Sequence, residues 1–135
     1  MNNKPLIKQL LREGLMSKSD KDIRIMTDAI NFAKKELGLK DDFKVYLAFE
    51  RTPDLETMAY YNINGYIKVY VKNRQISDCV RSGFHEICHV WQHKEGLLTN
   101  IEKDGADGSD IENFANAKAG ELMRKFNKIH PEMYD

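Results

Sequence analysis

The apolar positions change period along the chain, and the change divides it into elements. Leu6, Ile7, Leu10, Leu11 and Leu15 recur at helical spacing, which predicts a short amphipathic helix interrupted by Gly14, a docked N-terminal arm over about 1–18. Ser19 or Asp20 can cap a second helix, whose Ile23, Met26, Ile30, Ala33 and Leu37 form one stripe ended by Gly38. From Asp42 to Asn73 the period becomes two. Phe43, Val45, Leu47 and Phe49 alternate with Lys44, Tyr46 and Ala48, and Ile67, Val69 and Val71 alternate with Tyr66, Lys68, Tyr70 and Lys72. Between these runs ETMAYYNI leads into Asn64-Gly65, a strong hairpin signal, so strands near 56–63 and 66–72 should pair antiparallel.

The helical period then returns. Ser77 can cap a third helix through about Lys94, closed by Gly96, and Ser109 can cap a fourth to about Lys128, before His130-Pro131. The Gly- and Asp-rich NIEKDGADGSD between them reads as a loop. The predicted order is two helices, three strands, two helices. The fold class is α+β, with a small antiparallel or mixed three-stranded sheet packed on the third helix. With 135 residues and neither internal repeat nor Pro-rich linker, the chain is expected to form one domain over 1–135.

Composition narrows the partners more than the chemistry. Hydrophobic residues make up 41% and charged residues 31%, ordinary globular usage that argues against a disordered chain. Twenty-one basic residues balance twenty-one acidic ones, so no net field draws the protein to nucleic acid or to an anionic membrane, and neither partner is expected. No stretch approaches the roughly 20 apolar residues of a membrane span, and MNNKPLIKQLLREGLMSKSD lacks a signal-peptide core. Cys79 and Cys88, nine positions apart on one predicted helix, stand roughly 13 Å apart along its axis, too far for a disulfide. Reduced thiols and a cytoplasmic setting are the expectation.

The third helix, SDCVRSGFHEICHVWQHKEG, carries the chemistry, because His85-Glu86-Ile87-Cys88-His89 is HExxH. Four residues advance a helix by about 400°, so the two histidines project from one face a turn apart and can clamp one zinc ion. Glu86 sits beside them as a candidate general base. Val80, Phe84, Ile87 and Trp91 fall on the opposite side of the wheel, which argues against the histidines being core residues. On the residues alone, a His-Glu pair on a solvated helix face stays open.

A catalytic zinc needs a third protein ligand and one open position. His93 lies about 12 Å of helical rise beyond His85, too far to converge with it, and reads as solvent-facing. Asp104, Asp107 and Asp110 recur every third residue rather than every second, unlike a calcium loop, so a flexible acidic loop is expected there. Cys88 reads as a small core residue rather than a nucleophile.

HEICH followed by Glu112-x-x-Ala115-Asn116-x-x-Ala119-x-x-Leu122 resembles the gluzincin pattern, HExxH followed by ExxxD or ExxxN. In compact form it is similar to small bacterial and phage metallopeptidase domains of the ImmA/IrrE type. ISDCVRSGFHEICHVWQ also resembles the D-x-x-R-x-x-x-HE-x-x-H-x-x-Q helix of small phage-encoded and SprT-like domains. The similarity spans roughly residues 42–125 and implies a zincin-like fold. It implies Glu112 as third zinc ligand and Asn116 as the residue orienting a ligating histidine. Against this, Ser109-x-x-Glu112 is also a capping box, in which Glu112 serves its own helix, with Asp110 the reserve ligand.

The resemblance implies zinc-dependent hydrolysis of a peptide or protein substrate, aligned as an added strand on Tyr66–Lys72 or the strand beside it. Tyr60, Tyr61, His130 and Tyr134 are the candidate oxyanion donors. Two other readings stand beside it. One is a non-catalytic zinc-binding accessory protein of a phage or mobile element, joined to a protein partner through the N-terminal helix, in host cytoplasm or virion. The other is a zinc hydrolase of a non-peptide amide.

Overall fold

A computed structural model of the protein describes residues 6–10, 20–40, 43–49, 58–62, 65–97 and 109–134. In chain order the elements are β1 (Leu6–Leu10), α1 (Asp20–Glu36), β2 (Lys44–Ala48), β3 (Ala59–Asn62), β4 (Tyr66–Tyr70), α2 (Ile76–Lys94) and α3 (Asp110–Ile129). A 3-10 turn, Pro131–Tyr134, follows α3. The fold is α+β.

The three expected strands form one mixed sheet, and a fourth joins it, in the order β1-β2-β4-β3. β2 runs parallel to β4 with Val45 opposite Ile67 and Leu47 opposite Val69, so their inward side chains build one buried surface. β3 and β4 are the antiparallel hairpin. Its loop spans three positions rather than two, since Asn62 pairs with Tyr66, and Gly65 takes φ +100° there while donating to Asn62 O at 2.9 Å.

The first element is a correction. Leu6–Leu10, expected to be helical, is a strand paired in parallel with β2, Ile7 opposite Val45 and Gln9 opposite Leu47. An isolated helix that short is marginal in water, whereas a strand here satisfies the main-chain groups on the outer edge of β2. The segment therefore belongs to the sheet rather than to a helical arm. Residues 11–18 of that arm lie outside the described residues.

The helices stack on the inner side of the sheet with α2 at the centre, touching α1, α3, β3 and β4. Met26, Ile30 and Ala33 of the α1 stripe are buried, and Ile23 and Leu37 pack at its margin. Gly83, in mid-helix, marks the α1–α2 crossing: a Cβ there would lie 3.0 Å from Met26 Cε and 3.6 Å from Ile30 Cδ1. Gly38 and Gly96 end α1 and α2 at positive φ. Leu39 donates to Lys34 O and Leu97 to Gln92 O, the Schellman closure expected of glycine there.

Helix α2 begins earlier than Ser77 suggests. Gln75 is the N-cap residue, without a side-chain cap bond, and Ser77 is buried inside the first turn. Arg74 anchors the junction instead, donating to Tyr70 O at 2.6 Å, Asp78 O at 3.0 Å and Ser82 Oγ at 2.8 Å. That guanidinium fixes α2 against the end of β4. The expected cap of α3 is present, Ser109 Oγ accepting from Glu112 N at 3.1 Å. Among the described residues no helix is long and apolar enough to cross a membrane.

Candidate metal centre

His85 and His89 lie one turn apart on α2 and face the first turn of α3. Their rings meet nearly at right angles with the two Nε2 atoms 3.2 Å apart. Glu112 Oε1 lies 2.6 Å from His85 Nε2, and Oε2 lies 3.1 Å from His89 Nε2. The three donor atoms fall within 4.8 Å of one another, the one such group of His, Cys, Asp and Glu among the described residues. Only the serine half of the capping-box alternative is shown. The Glu112 amide serves the helix cap while its carboxylate faces the histidines. Asp110 is exposed at the start of α3 and does not join the group, and Asp104 and Asp107 lie outside the described residues.

The donor set fits a zinc-type ion. Ligands about 2.0–2.1 Å from a tetrahedral centre are separated by roughly 3.3 Å, close to the 3.2 Å between the histidine nitrogens. Burial holds His85 below the usual histidine range, and the charge on His89 adds to this, against the pull of Glu112 and hydrogen bonds with Glu112 and Asn116. The neutral imidazole that results is the form that binds metal. Glu112 also sits where the N-terminal end of α3 favours an anion.

Glu86 is buried next to the cluster, its Oε2 3.9 Å from His85 Nε2. Burial pushes its carboxyl up to about 8, with the negative Glu112 adding to the rise and a hydrogen bond from the Tyr61 main-chain amide opposing it. That amide identifies a strand edge. Tyr70 N donates to Met58 O, so in the alternating antiparallel ladder Tyr61 turns its main-chain groups away from β4. β3 is thus the edge strand beside Glu86. Tyr66–Lys72, named above as a substrate platform, includes β4, which is flanked on both sides and cannot accept another strand.

The other expected residues are dispersed. Asn116, which the resemblance named as the orienting residue, hydrogen-bonds His85. His93 is half-buried rather than solvent-facing, because the Tyr61 hydroxyl pairs with its Nδ1 at 2.7 Å. Tyr60 bonds Tyr66 on the opposite face of the sheet, at 2.9 Å between hydroxyls. His130 is held by Glu132 at 2.7 Å and by Asp28 at 3.4 Å, away from the cluster. The Tyr134 side chain lies outside the described residues. Cys88 is buried among apolar residues and its thiol is pushed up to about 12, chiefly by burial, which leaves it inert. Val80, Phe84 and Ile87 are core residues, whereas Trp91 is half-buried and stacks on Phe114 at 5.5 Å between centroids.

Gln92 ends the H-x-x-Q pattern of α2 but was not among the candidate site residues. It is 1% exposed, bonds His89 Nδ1 at 2.7 Å through Oε1, and donates from Nε2 to Ile111 O at 3.0 Å. The available signal was its place on the wheel, three residues after His89 and on the same side.

Comparison with family models, with curated proteins and with solved structures found no match to this chain.

Proposed function

We propose that the protein is a zinc-dependent metallopeptidase, with His85, His89 and Glu112 as metal ligands and Glu86 as general base. The observation that carries this reading is the convergence of two imidazole nitrogens and one carboxylate at zinc-type spacing, with a buried second carboxylate 3.9 Å from His85. Three protein ligands leave one position for water or substrate. Zinc bound there supplies a Lewis acid for the scissile carbonyl and lowers the pKa of a coordinated water to about 7.

The chain supplies the rest. Glu86 takes a proton at its carboxylate and later delivers it to the leaving amine. Burial and the Glu112 charge raise the Glu86 carboxyl, and a cation held by the cluster would offset both. The Tyr61 main-chain amide holds that carboxylate in place. The outer edge of β3 aligns an extended substrate beside it, a role supported by the outward turn of Tyr61. Tyr61 remains the one oxyanion candidate whose own residue touches Glu86, through the main chain.

The test is metal content and turnover measured on the same sample. About one zinc per chain, with cleavage of a peptide library that a chelator abolishes, is the expected result. Zinc absent after reconstitution of folded protein overturns the reading. Zinc without cleavage of any peptide favours the accessory-protein reading, or a non-peptide amide as substrate.

A further inference from the structure

A buried side chain that is not itself a ligand controls the direction of a ligand's lone pair. We infer that Gln92 is a positioning residue, which sets the ring tautomer of His89 and ties the two ligand-bearing helices together. The inference rests on the cluster being a metal site, but its first consequence is visible without metal.

Ile111 O can only accept, so the Gln92 atom 3.0 Å from it must be the amide nitrogen, donating. The other end of the same amide is then an oxygen, and it lies 2.7 Å from His89 Nδ1. An amide oxygen has no proton to give, so Nδ1 must carry one and donate it. In the neutral ring Nε2 then keeps its lone pair on the side of His85 Nε2 and Glu112, 3.2 Å and 3.1 Å away, where a cation would be the shared partner that these electron-rich atoms need. With the opposite orientation the Gln92 oxygen would face the Ile111 carbonyl oxygen, two acceptors with no proton between them. Gln92 is almost fully enclosed, with no water to offset that mismatch.

The same side chain spans α2 and α3. Ile111 immediately precedes Glu112, so the bond to Ile111 O registers the first turn of α3 against the helix that carries both histidines. One residue thereby fixes the tautomer of one ligand and the position of the backbone beside another. Asn116 approaches His85 from α3, so each histidine has its own orienting amide.

The test uses the whole chain, labelled with nitrogen-15 and stripped of metal, at alkaline pH. Long-range proton–nitrogen spectra should show His89 as the Nδ1–H tautomer. An Nε2–H tautomer overturns the inference. In parallel, zinc alone is titrated into Gln92→Met, which fills similar volume but offers no amide oxygen, and Gln92→Glu, which keeps an acceptor for Nδ1–H. Gln92→Met should bind zinc about 10–100-fold more weakly, with Gln92→Glu closer to the unsubstituted protein. Unchanged affinity in folded Gln92→Met overturns the positioning role. If Gln92→Met does not fold, the tautomer measured on the unsubstituted chain still decides. Failure of the metallopeptidase reading appears differently, as absent zinc binding with the Nδ1–H tautomer intact.

Discussion

Glu112 and Ser109, one turn apart at the start of α3, meet through main chain and side chain: the Glu112 amide donates to Ser109 Oγ at 3.1 Å, leaving both carboxylate oxygens to the histidines. The Ser109 half of the cap and the ligand role of Glu112 therefore coexist, because that half uses the Glu112 amide and leaves its carboxylate free for the histidines. The two roles separate by mutation.

Glu112→Gln should lower zinc affinity by at least about 100-fold while leaving the metal-free protein near its original stability, since the amide that feeds the cap is unchanged. Ser109→Ala should instead cost about 0.5–2 kcal/mol of stability with zinc affinity nearly unchanged. Asp110→Asn serves as the control, exposed and outside the cluster. Zinc titration and thermal unfolding of the three variants provide the check. Loss of affinity in Asp110→Asn but not in Glu112→Gln would transfer the ligand role.

Glu86→Gln should keep zinc and lose about 10²–10⁴-fold or more in turnover, because the group handles protons rather than the ion. His85→Ala should lose the metal itself. Near-normal cleavage by Glu86→Gln on a validated peptide would assign the proton to another residue.

The metal-free protein should show Glu86 in its pH profile. Its carboxyl lies at about 8 when folded, against an ordinary 4.5, so the folded state holds the proton more tightly than the unfolded one. The stability this contributes is fully present below about pH 4.5 and is lost as pH rises through about 8. Thermal unfolding of chelator-treated protein should thus fall behind Glu86→Gln by a growing margin between pH 5 and pH 9, several degrees at the upper end. Parallel profiles for the two proteins would contradict the buried placement of this carboxylate.

Cys79 and Cys88 are both outside any disulfide and wholly buried, and the Cys88 thiol is pushed up to about 12. A thiol reagent at neutral pH should leave the native protein unmodified and titrate two thiols once it is unfolded. Rapid modification of either cysteine in folded protein would show that α2 is less enclosed than described here.

By itself the sequence determined the elements whose information is local. The α1 stripe, the alternation of β2 and β4, the hairpin glycine and the Ser109 cap all follow from contacts a few residues apart. The His85–His89 pair is of the same kind, because one helical turn dictates its geometry before any packing occurs. Tertiary structure decided what depends on partners distant in the chain. Leu6–Leu10 fits a helical stripe, yet it is a strand because β2 offers an edge some forty residues later. Ser77 has the chemistry of a cap, but Arg74 bridges β4 to α2 and the helix starts before it. His93 carries no sequence mark of the tyrosine it meets on β3. Gln92 ends a recognisable H-x-x-Q pattern, but its partners are set only when α3 encloses it, and enclosure is what obliges its amide to find both of them, His89 and Ile111.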